Sequence, residues 1–478
     1  MARSMSSWTG GMIKLLMPLY AHASKCLHNS AIAAMLLICG YTLLVPGFVK
    51  PAHAQSNWFE GIQGGGATDF SGRGNSRRSS DEQPERKPEV LNDLRPDATP
   101  LRSDVMLDAV AGAIARYQEI VSRGGWPIVP AGRLMRVNED DPRVPILRKR
   151  LRASGDLSAK SSVYSSETFD SELEEAVKKF QLRHGLRPTG RIERSVYPVL
   201  NVTAEQRLAQ LTLNLDRLRT LMTGGIEQRY VLVNVPAFQL EAVDGFDVQL
   251  RHRVIVGRPG RDTPDVRTVI KAMNFFPFWR VPDSIATLDL VPLVRKTPEY
   301  LLNEGIRVYD GYNGPEVERS TIDWYGPQVA NYRFKQDPGE KNALGLVRLD
   351  MSNEHGVYLH DTPLKKLFDQ RSRPFSAGCV RVQDVFQLAE WLARFEPGWD
   401  QPGQVQRILE GGQAVDVTLT RPVPVQFAYI TAWAEPSNGR VEFRPDIYGR
   451  DGEAMRGKDH ISDVDDAPPA ADAAALAP

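Results

Sequence analysis

Cysteine is the scarcest reactive residue here: three in 478 positions, Cys26, Cys39 and Cys379. That excludes a fold stapled by many disulfides. An excess of one charge is also missing, since 59 Lys and Arg balance 59 Asp and Glu. Bulk electrostatics therefore do not hold this chain on nucleic acid. No G-x-x-x-x-G-K-[ST] or G-x-G-x-x-G appears, which removes the phosphate-cradle signatures. One cysteine among scattered histidines lacks metal-ligand spacing, so no metal and no cofactor are expected. No internal repeat stands out. What remains is ordinary globular composition, 42% hydrophobic and 25% charged, with room for two or three domains.

Long apolar runs are nearly absent too. The exception is "AIAAMLLICGYTLLV" (31–45), preceded by Arg3, Lys14 and Lys25 and followed by the small-x-small "AHA" at 52–54. Residues 1–54 read as an export signal, with translation starting later, at Met12 or Met17, as an alternative. The run is shorter than the roughly 20 apolar residues of a spanning helix and is broken by Gly40 and Pro46. An uncleaved inner-membrane anchor is the other reading, and either way the bulk of the chain lies outside the cytoplasm. Cleavage leaves Cys379 unpaired, as a buried small hydrophobe or a reactive thiol.

Residues 55–100, rich in Gly, Ser, Arg, Glu and Pro, read as a disordered tether, and 451–478 as a disordered tail. "DAVAGAIARYQEIVSRGG" has helical periodicity and stops at Gly124–Gly125. "TAEQRLAQLTLNLDRLRTL" is a second long helix, opened by a Thr203/Gln206 capping box. Together 101–140 and 201–227 make a helical scaffold. It flanks a compact block, 141–200, in which Leu173, Ala176, Val177 and Phe180 form an apolar stripe. From 228 to 450 the texture is strands. "RYVLVNVPAFQLEAV" and "DVQLRHRVIVG" are joined by the Asp244–Gly245 turn, and "VQFAYITAWAE" with "VEFRP" reads as a closing hairpin. An aromatic-rich insertion of short helices and loops spans about 280–340. The fold class is α+β and multidomain: a mostly antiparallel β domain with a helical insertion, a small three-helix module and a helical scaffold.

"EHGVYLHD" alternates, so Val357 and Leu359 face one way and Tyr358 and His360 the other. "SAGC" then sets Cys379 beside small residues, where backbone amides can turn toward a carbonyl. A helix follows, with Val385, Leu388, Leu392 and Phe395 on one face and Asp384/Gln387 as its cap pair. A free thiol is only a few per cent ionised at neutral pH, so activation rests mainly on His360 as base. A packed thiol and a satisfied strand-end histidine are the bland alternative. His355 reads as a loop residue and His252 as a member of a distant strand.

"YLHDTP…FSAGCVRV", with "KNALGLVRLDM" before it, resembles the signature of the L,D-transpeptidase family (the YkuD-type catalytic domain) over roughly 228–420. "AVKKFQLRHGLRPTGRI" resembles a three-helix peptidoglycan-binding module. The whole resembles the large Gram-negative type, in which an insertion caps the active site. Two positions depart from the pattern: Ala377 stands where many members have His, and Asp361 where many have Gly. The resemblance implies Cys379 as nucleophile, His360 as general acid/base, the Gly378 and Cys379 amides as oxyanion donors, and Ser376, Arg381 and Tyr358 as pocket candidates. Loop bracing is an alternative for Arg381. Trp324, Tyr325 and Tyr332 are candidates for the cap lining. It further implies a periplasmic acyltransferase in cell wall biogenesis that joins peptidoglycan tetrapeptide stems by 3→3 links, releases D-alanine and is acylated by carbapenems. Water or a lipoprotein lysine as acceptor, cleavage of 3→3 links, and a non-catalytic peptidoglycan-binding scaffold are the rival readings.

Overall fold

Helix α1 (Asp104–Ser122) opens where the Ser103 hydroxyl accepts the Met106 amide, and it buries Met106, Val110, Ala113 and Tyr117 at helical spacing. In the computed structural model, which describes residues 93–95, 98–159, 166–225 and 227–452, that stripe packs on a second long helix. The partner shares the scaffold core through Leu211, Leu215, Leu218 and Leu221. Between the two lie α2 (Val144–Ala153), α3 (Ser171–Arg183) and α4 (Val196–Leu200), which enclose their own core of Leu147, Leu151, Leu173, Val177, Phe180 and Val196. Asp170 caps α3 by accepting the Leu173 amide. The second scaffold helix, α5 (Ala204–Met222), carries both halves of the Thr203/Gln206 capping box. The expected signal, tether and tail lie largely outside the described residues.

Two expected boundaries move. Asp93 pairs with Arg253 at 2.6 Å and Arg373 at 2.8 Å, and buried Arg95 meets Glu241 and Glu435 at 3.1 Å each. Residues 93–95, expected within the tether, are held on the folded body by acid–base partners far along the chain. At the other end Asp451 accepts from Thr431 and Arg217 at 2.6 Å each, so it belongs to the folded body.

The strand-rich region begins with β1 (Arg229–Asn234), β2 (Gln239–Asp244), β3 (Asp247–Gly257) and β4 (Arg267–Phe275). The β-rich run over 229–243 forms two strands. Pro236 removes an amide and Phe238 adopts a left-handed φ of 54°, so β1 and β2 fold back on each other. The Asp244–Gly245 turn joins β2 to β3 as expected. An insertion follows, with β5 (Trp279–Arg280), β6 (Ile306–Asp310) and β7 (Tyr332–Gln336) in an antiparallel sheet beside short helices. It is thus mixed rather than purely helical, since Ile306, Val308 and Phe334 line a core of its own.

The main sheet resumes with β8 (Val347–Met351), β9 (Leu359–His360), β10 (Pro374–Ser376), β11 (Val380–Val382) and β12 (Val415–Ala428). Its pairings run β3-β11-β9-β8-β4-β12-β1-β2 and return to β3, a closed circuit. The β1–β12, β9–β11 and β3–β10 pairs are parallel and the rest antiparallel. Helix α6 (Val385–Ala393) lays Val385, Leu388 and Leu392 on the sheet core. Its expected Asp384/Gln387 cap is not formed, because Asp384 sits at φ 50° and its side chain caps nothing, and Phe395 beyond the helix end is half exposed.

The closing hairpin, β13 (Ala432–Ala434) with β14 (Val441–Phe443), is where three parts of the molecule meet. Phe443 stacks on His184 at 5.3 Å and meets Tyr117 edge-on at 6.0 Å. The Arg207 guanidinium lies 4.5 Å over the same ring, and Arg183 pairs with Asp156 at 2.6 Å in the buried layer alongside. Burial and these cations hold His184 far below the usual imidazole range.

Candidate active site

Strand parity builds the site. Val347, Leu349, Met351, Leu359, Val380 and Val382 fill the sheet core, so alternation turns Arg348, Asp350, His360 and Arg381 to the opposite face. The core of the insertion reaches this face through Leu344, Tyr358 and Ala377. Register then fixes the neighbours. His360 lies opposite Arg348 on one side and opposite Arg381 on the other. One step back along the parallel pair, Tyr358 stands beside Cys379.

Cys379 is therefore diagonal to His360, about 8 Å away between Cα atoms from ordinary strand spacings. The two expected catalytic residues are both covered, Cys379 9% exposed and packed with the sheet core and His360 fully buried. They do not hydrogen-bond in this state: neither imidazole nitrogen has a partner. What faces the sulfur is Tyr358, with both its backbone N–H and its hydroxyl. Its ring also meets the His360 ring edge-on at 5.6 Å, and Arg348 lies 5.5 Å over it. Tyr358 thus stands beside the thiol, next to the expected base His360.

Burial dominates the titration of both groups. It pushes the Cys379 thiol up to about 11, against the pull of the Tyr358 donors and of Arg381 and Arg348. It pulls His360 down to about 3, helped by the Arg381 and Lys365 charges, while the Asp361 and Leu344 carbonyls draw it the other way. At neutral pH the closed site therefore holds a neutral thiol and a neutral imidazole. The Asp361 carboxylate is spoken for, accepting the Leu346 amide at 3.0 Å and pairing with Lys365, in keeping with no catalytic task for that side chain.

The turn carrying the thiol is held from beneath. Ser376 is fully buried, and its hydroxyl donates to the Cys379 carbonyl at 2.6 Å and accepts the Gly378 amide at 3.1 Å. This corrects two expectations. Ser376 is a turn residue and not an exposed pocket residue, and the Gly378 N–H is already committed, leaving the Cys379 amide as the oxyanion candidate. Gly378 itself sits at φ 125°, which side-chain-bearing residues rarely adopt. Thr263, absent from the sequence reading, donates to the Gly378 carbonyl at 2.9 Å and accepts the Gly257 amide at 2.8 Å. Tyr448 donates to the Gly257 carbonyl at 2.6 Å and accepts the Thr263 amide at 3.1 Å. Both come from distant segments, and only a turn-rich "GRPGRDT" hinted at the first.

The insertion covers the site through Trp279, which faces the Tyr358 hydroxyl, and is tied to the β3 end by Arg258 and Arg261 on Asp289. Of the expected cap aromatics, Trp324 packs on Phe334 at 6.3 Å, whereas Tyr325 is 77% exposed and points to solvent under Arg295. Arg381 braces no loop: it is 1% exposed and none of its guanidinium nitrogens has a partner. His252 is buried on β3, and His355 lies in an exposed turn. Among the described residues no group of three or more His, Cys, Asp or Glu is placed to hold a metal ion, and no helix is long and apolar enough to cross a membrane.

Residues 228–423 match the family model described as "L,D-transpeptidase catalytic domain", and residues 140–200 match "Putative peptidoglycan binding domain". A curated Haemophilus influenzae protein named "Putative L,D-transpeptidase" is 33% identical over 245 residues, 51% of this chain and 48% of that protein. The chain thus spans about half the length of the relative it matches. Among solved structures, an L,D-transpeptidase from Xylanimonas cellulosilytica aligns with 13% identity and a TM-score of 0.19, covering 62% of this chain and 98% of that one. One from Stackebrandtia nassauensis aligns with 14% identity and a TM-score of 0.22, covering 61% and 96%.

Proposed function

With an L,D-transpeptidase catalytic domain over 228–423 and a peptidoglycan-binding domain over 140–200 as the premise, we propose that the protein is a periplasmic cysteine acyltransferase acting on peptidoglycan tetrapeptide stems. The observation that carries this reading is the covered neighbourhood of Cys379, in the turn that opens β11, and His360, on the parallel neighbour β9. In the reaction His360 takes the thiol proton and the sulfur attacks the carbonyl that precedes the terminal D-alanine. The Cys379 amide stabilises the oxyanion. The proton then passes to the departing D-alanine amine, leaving a thioester. A side-chain amine of a second stem attacks the thioester, giving a 3→3 link and restoring the thiol. Tyr358, between the thiol and the insertion, is the contact we assign to the donor stem, while Ser376 braces the turn from beneath and Arg381 lies beside His360.

The test is intact mass after exposure to a carbapenem, for the wild-type chain, Cys379→Ala and His360→Ala. A single-ligand gain that needs Cys379 and slows without His360 supports the reading. A folded, reduced chain that forms no adduct defeats it and favours a peptidoglycan-binding scaffold. Product analysis with tetrapeptide stems then separates dimers (transpeptidation) from tripeptides (a water acceptor).

A further inference from the structure

Arg381 is the unexplained charge of the site. Its side chain is 1% exposed and all three guanidinium nitrogens lack partners. A buried cation is costly unless an anion faces it. The groups that act most strongly on Cys379 and His360 are Tyr358, Arg381, Arg348 and Lys365, and no carboxylate is among them. Among the described residues, the acidic group in electrostatic contact with the guanidinium is Cys379, two residues earlier in the chain. A loop brace would show hydrogen bonds, and a substrate-docking arginine would expose a nitrogen. Arg381 does neither.

We propose that Arg381 is a positioning residue that supplies the lasting counter-charge to the Cys379 thiolate, a role usually given to an imidazolium. This rests on the reading of Cys379 as the nucleophile. In the step the S–H bond breaks, the proton goes to a ring nitrogen of His360, and the electron pair stays on sulfur opposite the guanidinium. Register sets the same guanidinium directly beside His360, where it repels an imidazolium. The proton on His360 is therefore weakly held and readily passed to the leaving amine. One residue thus stabilises the nucleophile and sharpens the acid.

The test is the pH profile of Cys379 alkylation by iodoacetamide, read on the peptide containing Cys379, in the full chain and in Arg381→Met and Arg381→Lys, together with Tm. Arg381→Met is expected to raise the alkylation midpoint by about one pH unit or more, a roughly tenfold loss of rate below the midpoint. Its Tm should be unchanged or higher, because an unpaired buried charge has been removed. Arg381→Lys should keep a midpoint near wild type. A wild-type profile in Arg381→Met, or a fall in Tm in both variants with the profile unmoved, overturns the proposal. Arg381→Gln gives the same reading if the Met chain does not fold. The profile needs no stem or drug, so a shifted midpoint in a chain that never forms an acyl adduct would defeat the proposed function and leave this inference standing.

Discussion

Arg381 and His360 face each other in register across the parallel strands β11 and β9, and the thiol two residues before Arg381 faces Tyr358 instead. A cation beside the base and a phenol beside the nucleophile define the resting electrostatics. Each has a measurable consequence.

The thiol should resist ionisation. With Cys379 pushed up to about 11, its alkylation rate should climb about tenfold per pH unit from pH 7 to 10 without a plateau. A plateau near pH 8.5 in the ligand-free chain would show the sulfur to be solvated. Tyr358→Phe removes a donor that lowers this pKa, so its rate at any pH in that window should fall severalfold.

Acid should destabilise the fold early. His360 and His252, drawn by burial to about 3 and about 4, are neutral in the folded chain. Their folded values lie below the unfolded 6.5, so the stability they contribute is present above pH 6.5 and is lost as pH falls toward those values. His252→Gln should remove a pH-dependent loss of about 3 kcal/mol across that window. Denaturant midpoints between pH 7 and 4 check this, and identical slopes in mutant and wild type would refute it.

Thr263 ties two loops under the nucleophile turn through one hydroxyl. Thr263→Val keeps the shape but strands a buried carbonyl and a buried amide, at a cost of about 1–3 kcal/mol. Acylation by a carbapenem should slow more than tenfold while the midpoint of alkylation stays put, since the turn is displaced and the charges around sulfur are not.

Asp156→Asn should weaken the 141–200 block from within. It leaves the buried Arg183 without its carboxylate, typically a loss of about 3–5 kcal/mol. Scanning calorimetry should then resolve two transitions in place of one cooperative unfolding. A single transition shifted by less than a degree would show the pair to be incidental.

The pattern of local order was written in short-range signals. The capping box at Thr203, the Asp244–Gly245 turn and the apolar stripe of α3 each depend on residues within a few positions, and each formed as read. Alternation set Tyr358 and His360 on one face, and a family resemblance joined His360 to Cys379. What stayed hidden depends on partners far along the chain. Nothing near Asp93 announces Arg373, nothing near Gly378 announces Thr263, and the insertion's sheet exists only because Val308 and Phe334 find each other. The tie between the Gly378 amide and Ser376 is local, but choosing it over an amide open to substrate needs the actual turn geometry.

The buried layer around Phe443, shared by α3, α5 and the final hairpin, fixes the distance from the peptidoglycan-binding domain to the thiol. A module on a loose tether would present the nucleophile anywhere within a sphere. Here any ligand held on the 140–200 domain lies at one set offset from Cys379 and in one orientation. On the proposed function, that rigid spacing makes the molecule a gauge.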